Sequence, residues 1–379
     1  MRRDPGGLAL DRLATSCNKG AFDVTGLSSS ISRGTNALRG TRWGRGVHRT
    51  AEILFQVSLT FLGLLAVTFF IGRVIPIDPV IAVVGDRAPP DVYEAARKAL
   101  GLDRPLWEQF LMYVGNVLTG DFGTSILTNR PVIEDIGRFF PATLELATIA
   151  TIIGVVLGVP AGIAAAVYRN RWPDQIVRVL GLVGYSVPVF WFGLMGLLLF
   201  YGILGWVAGP GRQGVFYEDL FEPITGVILI DAILMGEWDA FWDAVGHVIL
   251  PASILGYYSL AYISRMTRSF MLEQMSQEYI VTARVKGMSE ARVIWVHALK
   301  NISVQLITVI ALSYASLLEG SVLTETVFAW PGIGRYLTNA LLSADMNAVL
   351  GSTVVAGAIF VGINMLSDVL YRLLDPRAK

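Results

Sequence analysis

The sequence predicts an all-α bundle of six membrane-spanning helices, and three observations lead to this prediction. Hydrophobic residues make up 54% of the 379 residues and charged residues only 16%, whereas soluble domains carry roughly 25% charged residues. Apolar runs near the roughly 20 residues that cross a bilayer recur along the chain. Basic residues are concentrated in every second loop between these runs. Together these features place the chain in the membrane class.

Six apolar segments follow the polar N-terminus. The fourth is the shortest, and we expect it to continue as a helix past Arg265 and out of the bilayer. Pro188 interrupts the third segment. The six predicted spans are Ile53–Gly72, Ala142–Val167, Val179–Val207, Val248–Tyr262, Ile302–Leu323 and Leu350–Leu370.

The distribution of Lys and Arg predicts the orientation of these spans. The N-terminus, the loop Tyr168–Arg178, the loop after the fourth span and the C-terminus are basic, whereas residues 208–246 carry Arg212 against seven acids. The loop 75–141 has nine acids and six bases. Because basic loops stay on the cytoplasmic side, both termini are predicted to be cytoplasmic.

The same pattern divides the chain into regions. Residues 1–49 contain nine Lys/Arg and three Asp, and their composition is typical of a disordered cytoplasmic tail. A tail that binds lipid headgroups and a misassigned start codon are the alternatives. Residues 50–75 are predicted to hold the first transmembrane helix and 76–141 a periplasmic loop. A core of five further helices is predicted over 142–379.

Several residues within or beside the spans suggest packing rather than chemistry. Gly154, Gly158 and Gly162 recur at four-residue spacing, which lets helix backbones approach closely. Glu145 and Glu319 favour interhelical hydrogen bonds over a proton relay, since neither has a second carboxylate one turn away. The apolar segment Gly226–Gly236 is too short to span and favours an interfacial helix, with a re-entrant loop as the alternative.

The composition argues against several function classes. The single cysteine, Cys17, excludes an intramolecular disulfide and a thiolate metal cluster. The three histidines are scattered, and no Ser/His/Asp, Cys/His or paired-carboxylate constellation suggests an enzyme. The phosphate-binding pattern Gly-x-x-x-x-Gly-Lys-[Ser/Thr] does not occur. We therefore expect no cofactor in this chain, no nucleic-acid partner, and any ATP to be bound by a separate subunit.

The loop 276–301, between the fourth and fifth spans, carries the strongest functional signal. Its pattern predicts two short helices joined near Gly287–Ser289. Ala283 and Gly287 are four residues apart and would form one small face, which could lie close against another protein. Arg284 and Lys286 would point elsewhere. Ser289 is a plausible N-cap without a capping box.

This loop resembles the EAA loop of ABC importer permeases, in the form found in the dipeptide/oligopeptide/nickel family. The matching residues are Glu278, Tyr279, Thr282, Ala283, Arg284, Lys286, Gly287, Ser289, Glu290, His297 and Leu299. Residues 100–105 and 120–125 resemble the outer loop of the family's B-type subunit. Further likeness to the family lies at 324–334 and in Asn364, Asp368, Tyr371 and 375–377. The chain departs from the family pattern at Ile77, Val285 and Ala344.

The resemblance implies a type I importer permease fold in the bacterial inner membrane. It implies that the loop is a coupling helix docked in a groove of an ATPase subunit, with Glu278, Tyr279, Thr282, Ala283, Arg284, Lys286, Gly287, His297 and Leu299 as contacts. It implies four kinds of neighbour: a second related permease in a heterodimer, two ATP-binding-cassette ATPases, a periplasmic solute-binding protein and the lipid bilayer. Peptides are the family's commonest cargo, and nickel, glutathione, opines and oligosaccharides stay open.

Two other function classes compete with this reading. An ion-coupled secondary transporter would need intramembrane carboxylate pairs and inverted repeats with broken helices, and no such repeat is visible in the sequence. A non-transporting scaffold explains the hydropathy but gives no reason for the motif in the loop.

Overall fold

The computed structural model describes residues 42–74, 79–85, 87–99, 101–218 and 224–374. The described residues contain helices and no strand, apart from an isolated bridge between Thr124 and Pro131. The chain divides into two compact units, 1–60 and 61–379. The described part of the first unit, 42–60, is the N-terminal stretch of a long helix.

Fifteen α-helices follow one another along the described chain. They are α1 Arg42–Val74, α2 Pro79–Val84, α3 Pro90–Ala99, α4 Leu106–Leu118, α5 Val132–Val167, α6 Trp172–Ser186, α7 Val189–Gly196, α8 Ile228–Met235, α9 Trp238–Met275, α10 Glu278–Val285, α11 Glu290–Arg292, α12 Leu299–Gly320, α13 Val322–Val327, α14 Ile333–Leu342 and α15 Met346–Leu374. A 3₁₀ turn lies at Val215–Tyr217, and π-helical segments follow α7 at Leu197–Ile203 and α11 at Val293–Ala298.

Five of these helical stretches are long and apolar enough to cross a membrane, and the pair α6–α7 makes a sixth if counted as one span. The prediction of an all-α bundle is therefore confirmed. The fourth span continues past Arg265 as expected, because α9 runs unbroken to Met275. The N-terminal side of the same helix starts ten residues earlier than predicted, at Trp238.

The third span is not a single helix. The helices α6 and α7 meet at an angle of 97°, and Val187, which lies between them, has an extended backbone with φ −99° and ψ 129°. Pro188 causes this break, because a proline disfavours helical geometry in the residue before it and supplies no N–H to continue the helix. The sequence indicated an interruption here but not its angle.

The helix α1 begins at Arg42, inside the segment predicted to be disordered. Once an apolar span has formed a helix, each added residue costs little, because the nucleation step is already complete. The rest of that segment, 1–41, lies outside the described residues, as do Ile77 and 375–377 of the family signature.

The most extensive packing is between α5 and α9, and glycines permit it. A Cβ at Gly154 would lie 2.6 Å from Cβ of Ser259, and one at Gly162 would lie 2.5 Å from the carbonyl oxygen of Ser264. The three glycines of α5 therefore allow the backbones to approach as closely as predicted. Side chains of both helices complete an apolar core that includes Leu146, Ala150, Leu255 and Trp330.

Glu325 organises the turn between α13 and α14. Its carboxylate is fully buried and accepts hydrogen bonds from the Thr143 hydroxyl at 2.8 Å and the Ser321 hydroxyl at 2.9 Å. It also accepts from the backbone N–H groups of Gly334 and Arg335, at 2.7 and 3.0 Å, at the start of α14. The family motif at 324–334 therefore has a structural explanation, since its acid caps a helix and fixes it to α5.

Asp345 performs a similar task for the segment before α5. It is fully buried and accepts hydrogen bonds from the Ser125 hydroxyl at 2.6 Å and the Ile126 N–H at 2.7 Å. Nearby, burial raises the pKa of Tyr336, and its hydroxyl donates a hydrogen bond to Asp135 at 3.0 Å. Ala344, which immediately precedes Asp345 in the chain, has φ +59°. This is a left-handed conformation in which an alanine is strained.

Glu145 is buried and takes part in an ion pair with the partly exposed Arg212. Arg212 donates to one carboxylate oxygen from Nε at 2.8 Å and from Nη2 at 2.5 Å. The other oxygen accepts the N–H of Leu229, in α8, at 3.0 Å. The favoured prediction of a structural hydrogen bond is confirmed for Glu145. Its partners, however, come from the loop before α8 and from α8 itself, which the pair fastens to α5.

The segment Gly226–Gly236 forms the helix α8, which ends at Gly236 with φ +77°. Asp231 is buried in its first turn and accepts the N–H groups of Thr225 at 2.8 Å and Gly226 at 3.0 Å. The predicted helix is confirmed, and its placement at a membrane interface stays a prediction.

Candidate functional site

The segment 276–301 folds as a helix, a turn and a second helix, which we call the coupling segment. The first helix is α10, Glu278–Val285. The second begins at Glu290 as α11 and continues without interruption through a π-helical turn, Val293–Ala298, into α12. The predicted pair of helices joined near Gly287–Ser289 is confirmed. The second is not a separate short helix, because it is the N-terminal end of the fifth span.

An apolar core fixes this segment to the transmembrane helices. Ile280 and Ala283 of α10 pack with Ile163 of α5, Met271 of α9 and Val293 of the π-helical turn. All five side chains are at most 6% exposed. Because a core of this density transmits displacement rather than absorbing it, a force on α10 reaches three spans directly.

The predicted small face of Ala283 and Gly287 does not form. Helix α10 ends at Val285, and Gly287 adopts φ +76° in the turn that follows. Ala283 is 6% exposed and faces the chain's own core, so it offers almost no surface to a partner. A spacing of four residues implies a shared face only within one helix, and the left-handed glycine ends this one.

The outward face of α10 carries two valines that the sequence argument passed over. Val281 is 55% exposed and Val285 is 82% exposed. They are four residues apart within the helix and share a face with the exposed Glu278 and Thr282. Their i, i+4 apolar spacing is the sequence signal that predicts this shared face.

The turn between the helices is held by an exposed ion pair. Arg284 donates to Glu290 from Nε at 2.8 Å and from Nη2 at 3.1 Å, a bidentate geometry that orients both side chains. Ser289 occupies the N-cap position of α11 with an extended backbone, but its side chain makes no capping hydrogen bond. The predicted position of this cap is therefore right, and the capping bond expected of a serine there is not formed.

The other predicted contact residues have mixed exposure. Glu278, Thr282, Lys286 and Gly287 are exposed, whereas Tyr279, His297 and Leu299 are half-buried. Tyr279 donates to the side chain of Gln274 at 2.9 Å. His297 lies in the π-helical turn, where Trp295 and Val296 are each 50% exposed. π-Helical turns are rare in proteins overall, and those that occur are often found at functional sites.

An ion pair between the buried Asp174 and the partly exposed Arg268 fixes the neighbouring loop. Asp174, at the start of α6, is fully buried and accepts two hydrogen bonds from the guanidinium group of Arg268 in α9, at 2.6 and 2.9 Å. It also accepts the N–H of Asn170 at 2.9 Å, and Asn170 has φ +61°. This pair links α6 and α9 beside the coupling segment. Among the residues that the structure describes, no cluster of His, Cys, Asp or Glu could hold a metal ion.

Known protein families match most of this chain. Residues 158–379 match the family described as binding-protein-dependent transport system inner membrane component, and residues 50–147 match the N-terminal region of the same family. The first match includes the whole coupling segment.

Several bacterial relatives are similar over most of their length. The chain is 44% identical to the probable D,D-dipeptide transport system permease protein of Escherichia coli K12, over 84% of this chain and 94% of the relative. It is 43% identical to the di/tripeptide transport system permease protein of Pseudomonas aeruginosa, over 84% and 95%. The dipeptide transport system permease protein of Escherichia coli K12 is also 43% identical, over 84% and 95%.

Proposed function

Because this chain belongs to the family of binding-protein-dependent transport system inner membrane components, we propose that it imports di- or oligopeptides as one of two membrane subunits. Family membership makes the chain a multi-pass bacterial inner-membrane permease of an ATP-driven importer, not a secondary transporter or an enzyme. Systems of this kind contain a partner permease, ATPase subunits and a binding protein. We propose in addition that the two permeases form a heterodimer, that two ATPases bind it and that the cargo is a peptide.

The cargo proposal rests on one observation. Relatives named for dipeptide or di/tripeptide transport are 43–44% identical to this chain and are matched over about 95% of their length. Similarity that extends from the first span to the last includes the pathway as well as the coupling segment.

The coupling proposal rests on the position of α10. This helix presents Glu278, Val281, Thr282 and Val285 outward, while its opposite face packs against α5, α9 and the start of the fifth span. An ATPase that binds the outward face and moves on ATP binding would displace these spans together. Lys286, Gly287, Arg284 and His297 would lie at the edge of that contact, with both termini on the same cytoplasmic side.

Cross-linking tests this contact directly. The natural sequence has one cysteine, so Cys17→Ser gives a cysteine-free background. In that background we expect Val285→Cys to join the ATPase through a short cysteine-to-amine linker. Val215→Cys, at a comparably exposed position outside the segment, should not. A product from the control and none from the coupling helix would contradict the proposed docking face.

Transport of a labelled dipeptide into proteoliposomes tests the cargo. The reconstituted transporter should accumulate it only with ATP on the side of the ATPases and binding protein on the opposite side. Nickel or an oligosaccharide taken up in place of the dipeptide would reassign the cargo and leave the coupling mechanism intact.

A further inference from the structure

An arginine-lined cavity opens between α6 and α9, and no residue of the coupling segment lines it. Its volume is about 320 Å³, within the range of roughly 300–1,000 Å³ common for ligand sites. Arg178 of α6 and Arg265 and Arg268 of α9 line it, together with Val177, Gly181, Leu182 and Tyr185. No carboxylate is among the described residues that line it.

The positive charge of this cavity is only partly balanced. Asp174 lies one turn before Arg178 and binds Arg268 through both of its oxygens, so it offsets one of the three guanidinium charges. Arg265 stacks over the ring of Tyr185, with its guanidinium carbon 4.7 Å from the ring centre. Such stacking orients the guanidinium group but leaves its formal charge in place. Two positive charges therefore face the same space.

The depth of the cavity follows from the register of the neighbouring spans. Gly162 of α5 packs against Ser264 and Thr267 of α9. Helix α5 ends at Val167, five residues later, which is about 8 Å along a helix axis. The arginines of α9 are therefore close to the end of the membrane span, where headgroup phosphates lie. Trp172, at the start of α6, is 73% exposed, and tryptophan favours the same level of the bilayer.

The geometry points to a site for the phosphate of an anionic phospholipid. Arg178 and Arg265 would bind the phosphate, and Val177, Gly181 and Leu182 would contact the glycerol and the first carbons of the acyl chains. Guanidinium groups match phosphate oxygens in a bidentate manner. Basic pockets between transmembrane helices near the bilayer surface have the charge and the position that anionic headgroups require. A lipid held there would join α6 to α9 beside the Asp174–Arg268 ion pair.

Lipid titration of the assembled transporter tests the site. The detergent-purified complex is titrated with phosphatidylglycerol or phosphatidylcholine, and bound lipid is counted by native mass spectrometry. Each arginine near a membrane surface strengthens anionic-lipid binding by about fivefold, so Arg178→Gln with Arg265→Gln should weaken phosphatidylglycerol binding about 25-fold. Phosphatidylcholine binding should not change.

Two matched variants separate charge from structure. Arg178→Lys with Arg265→Lys keeps both charges and should retain most of the binding. Arg169→Gln removes one charge from an exposed position in the adjacent loop, outside the cavity, and should weaken phosphatidylglycerol binding by about fivefold at most. Equal phosphatidylglycerol binding by the wild type and the double Gln variant would overturn the proposal.

Two further results would assign the arginines to another anion. If glycerol 3-phosphate displaced the lipid at equal concentration, the cavity would bind soluble phosphate compounds instead. If the double Gln variant bound lipid normally but no longer distinguished a peptide from its C-terminal amide during uptake, the arginines would serve the cargo carboxylate. Either result would overturn the lipid assignment while leaving the importer function untouched.

Discussion

Replacing the two outward valines of α10 should uncouple the ATPase from this chain. Val281→Ser with Val285→Ser keeps the helix in place, because both side chains point away from the core, and removes the apolar surface proposed to dock. Val281 is 55% and Val285 82% exposed. Full burial of a valine side chain contributes roughly 2 kcal/mol, so burying these exposed fractions would contribute about 2.7 kcal/mol. That free energy corresponds to about 100-fold in Kd.

This value is a ceiling, since ordering of side chains at an interface offsets part of the gain. We therefore expect the affinity between purified ATPase and the membrane subunits to fall by about 10- to 100-fold. The affinity is measured by titrating labelled ATPase onto transporter in nanodiscs, and peptide-stimulated ATP hydrolysis should fall at limiting ATPase concentration.

The matched control is Val215→Ser, the same chemical change at a position that is 88% exposed and outside the coupling segment. It should leave the Kd unchanged. If the double variant assembled normally and bound ATPase within twofold of the wild type, the outward face of α10 would not be the docking surface.

Three further predictions concern residues that shape the bundle. Gly287→Ala should lower the free energy of unfolding by about 1–2 kcal/mol. The added methyl has open space around it, but a residue with a side chain is strained at φ +76°. An unchanged melting temperature would show that the turn does not require glycine. Glu325→Ala should lower the melting temperature far more than Glu325→Gln. Gln keeps an acceptor for the α14 N–H groups, whereas Ala leaves these buried donors unsatisfied, which costs about 1–3 kcal/mol each. Equal melting temperatures of the two variants would refute the capping role. Arg212→Ala should destabilise the chain by about 3–5 kcal/mol, because it leaves the buried carboxylate of Glu145 unpaired. Glu145→Ala should cost less, because Arg212 is partly exposed and keeps its hydrogen bond to the Gly226 carbonyl. The double variant should be less destabilised than the sum of the two, and strict additivity in thermal unfolding would show that the pair is not coupled.

The sequence was sufficient for the features that depend on local composition. Hydropathy placed the spans in order along the chain, although it gave neither the bend in the third nor the start of the fourth helix. It could do so because a helix in a bilayer must be apolar over a length set by the membrane. The spacing of Gly154, Gly158 and Gly162 predicted the close packing of α5, since small residues four apart lie on one side of a helix. The order and spacing of residues in the loop 276–301 identified the family, and the comparisons confirm that assignment.

Features that depend on where a helix ends or on what it faces needed the tertiary structure. Ala283 and Gly287 looked like one surface, but whether two residues share a face depends on the helix continuing between them, and α10 stops at Val285. Which side of α10 faces inward is determined by its packing against α5 and α9. Helix α5 ends more than one hundred residues before α10, whereas α9 ends only a few residues before it. No local pattern encodes that contact. The ion pair of Glu145 with Arg212, 67 residues apart, and the grouping of Arg178 with Arg265 became visible only when the helices packed together.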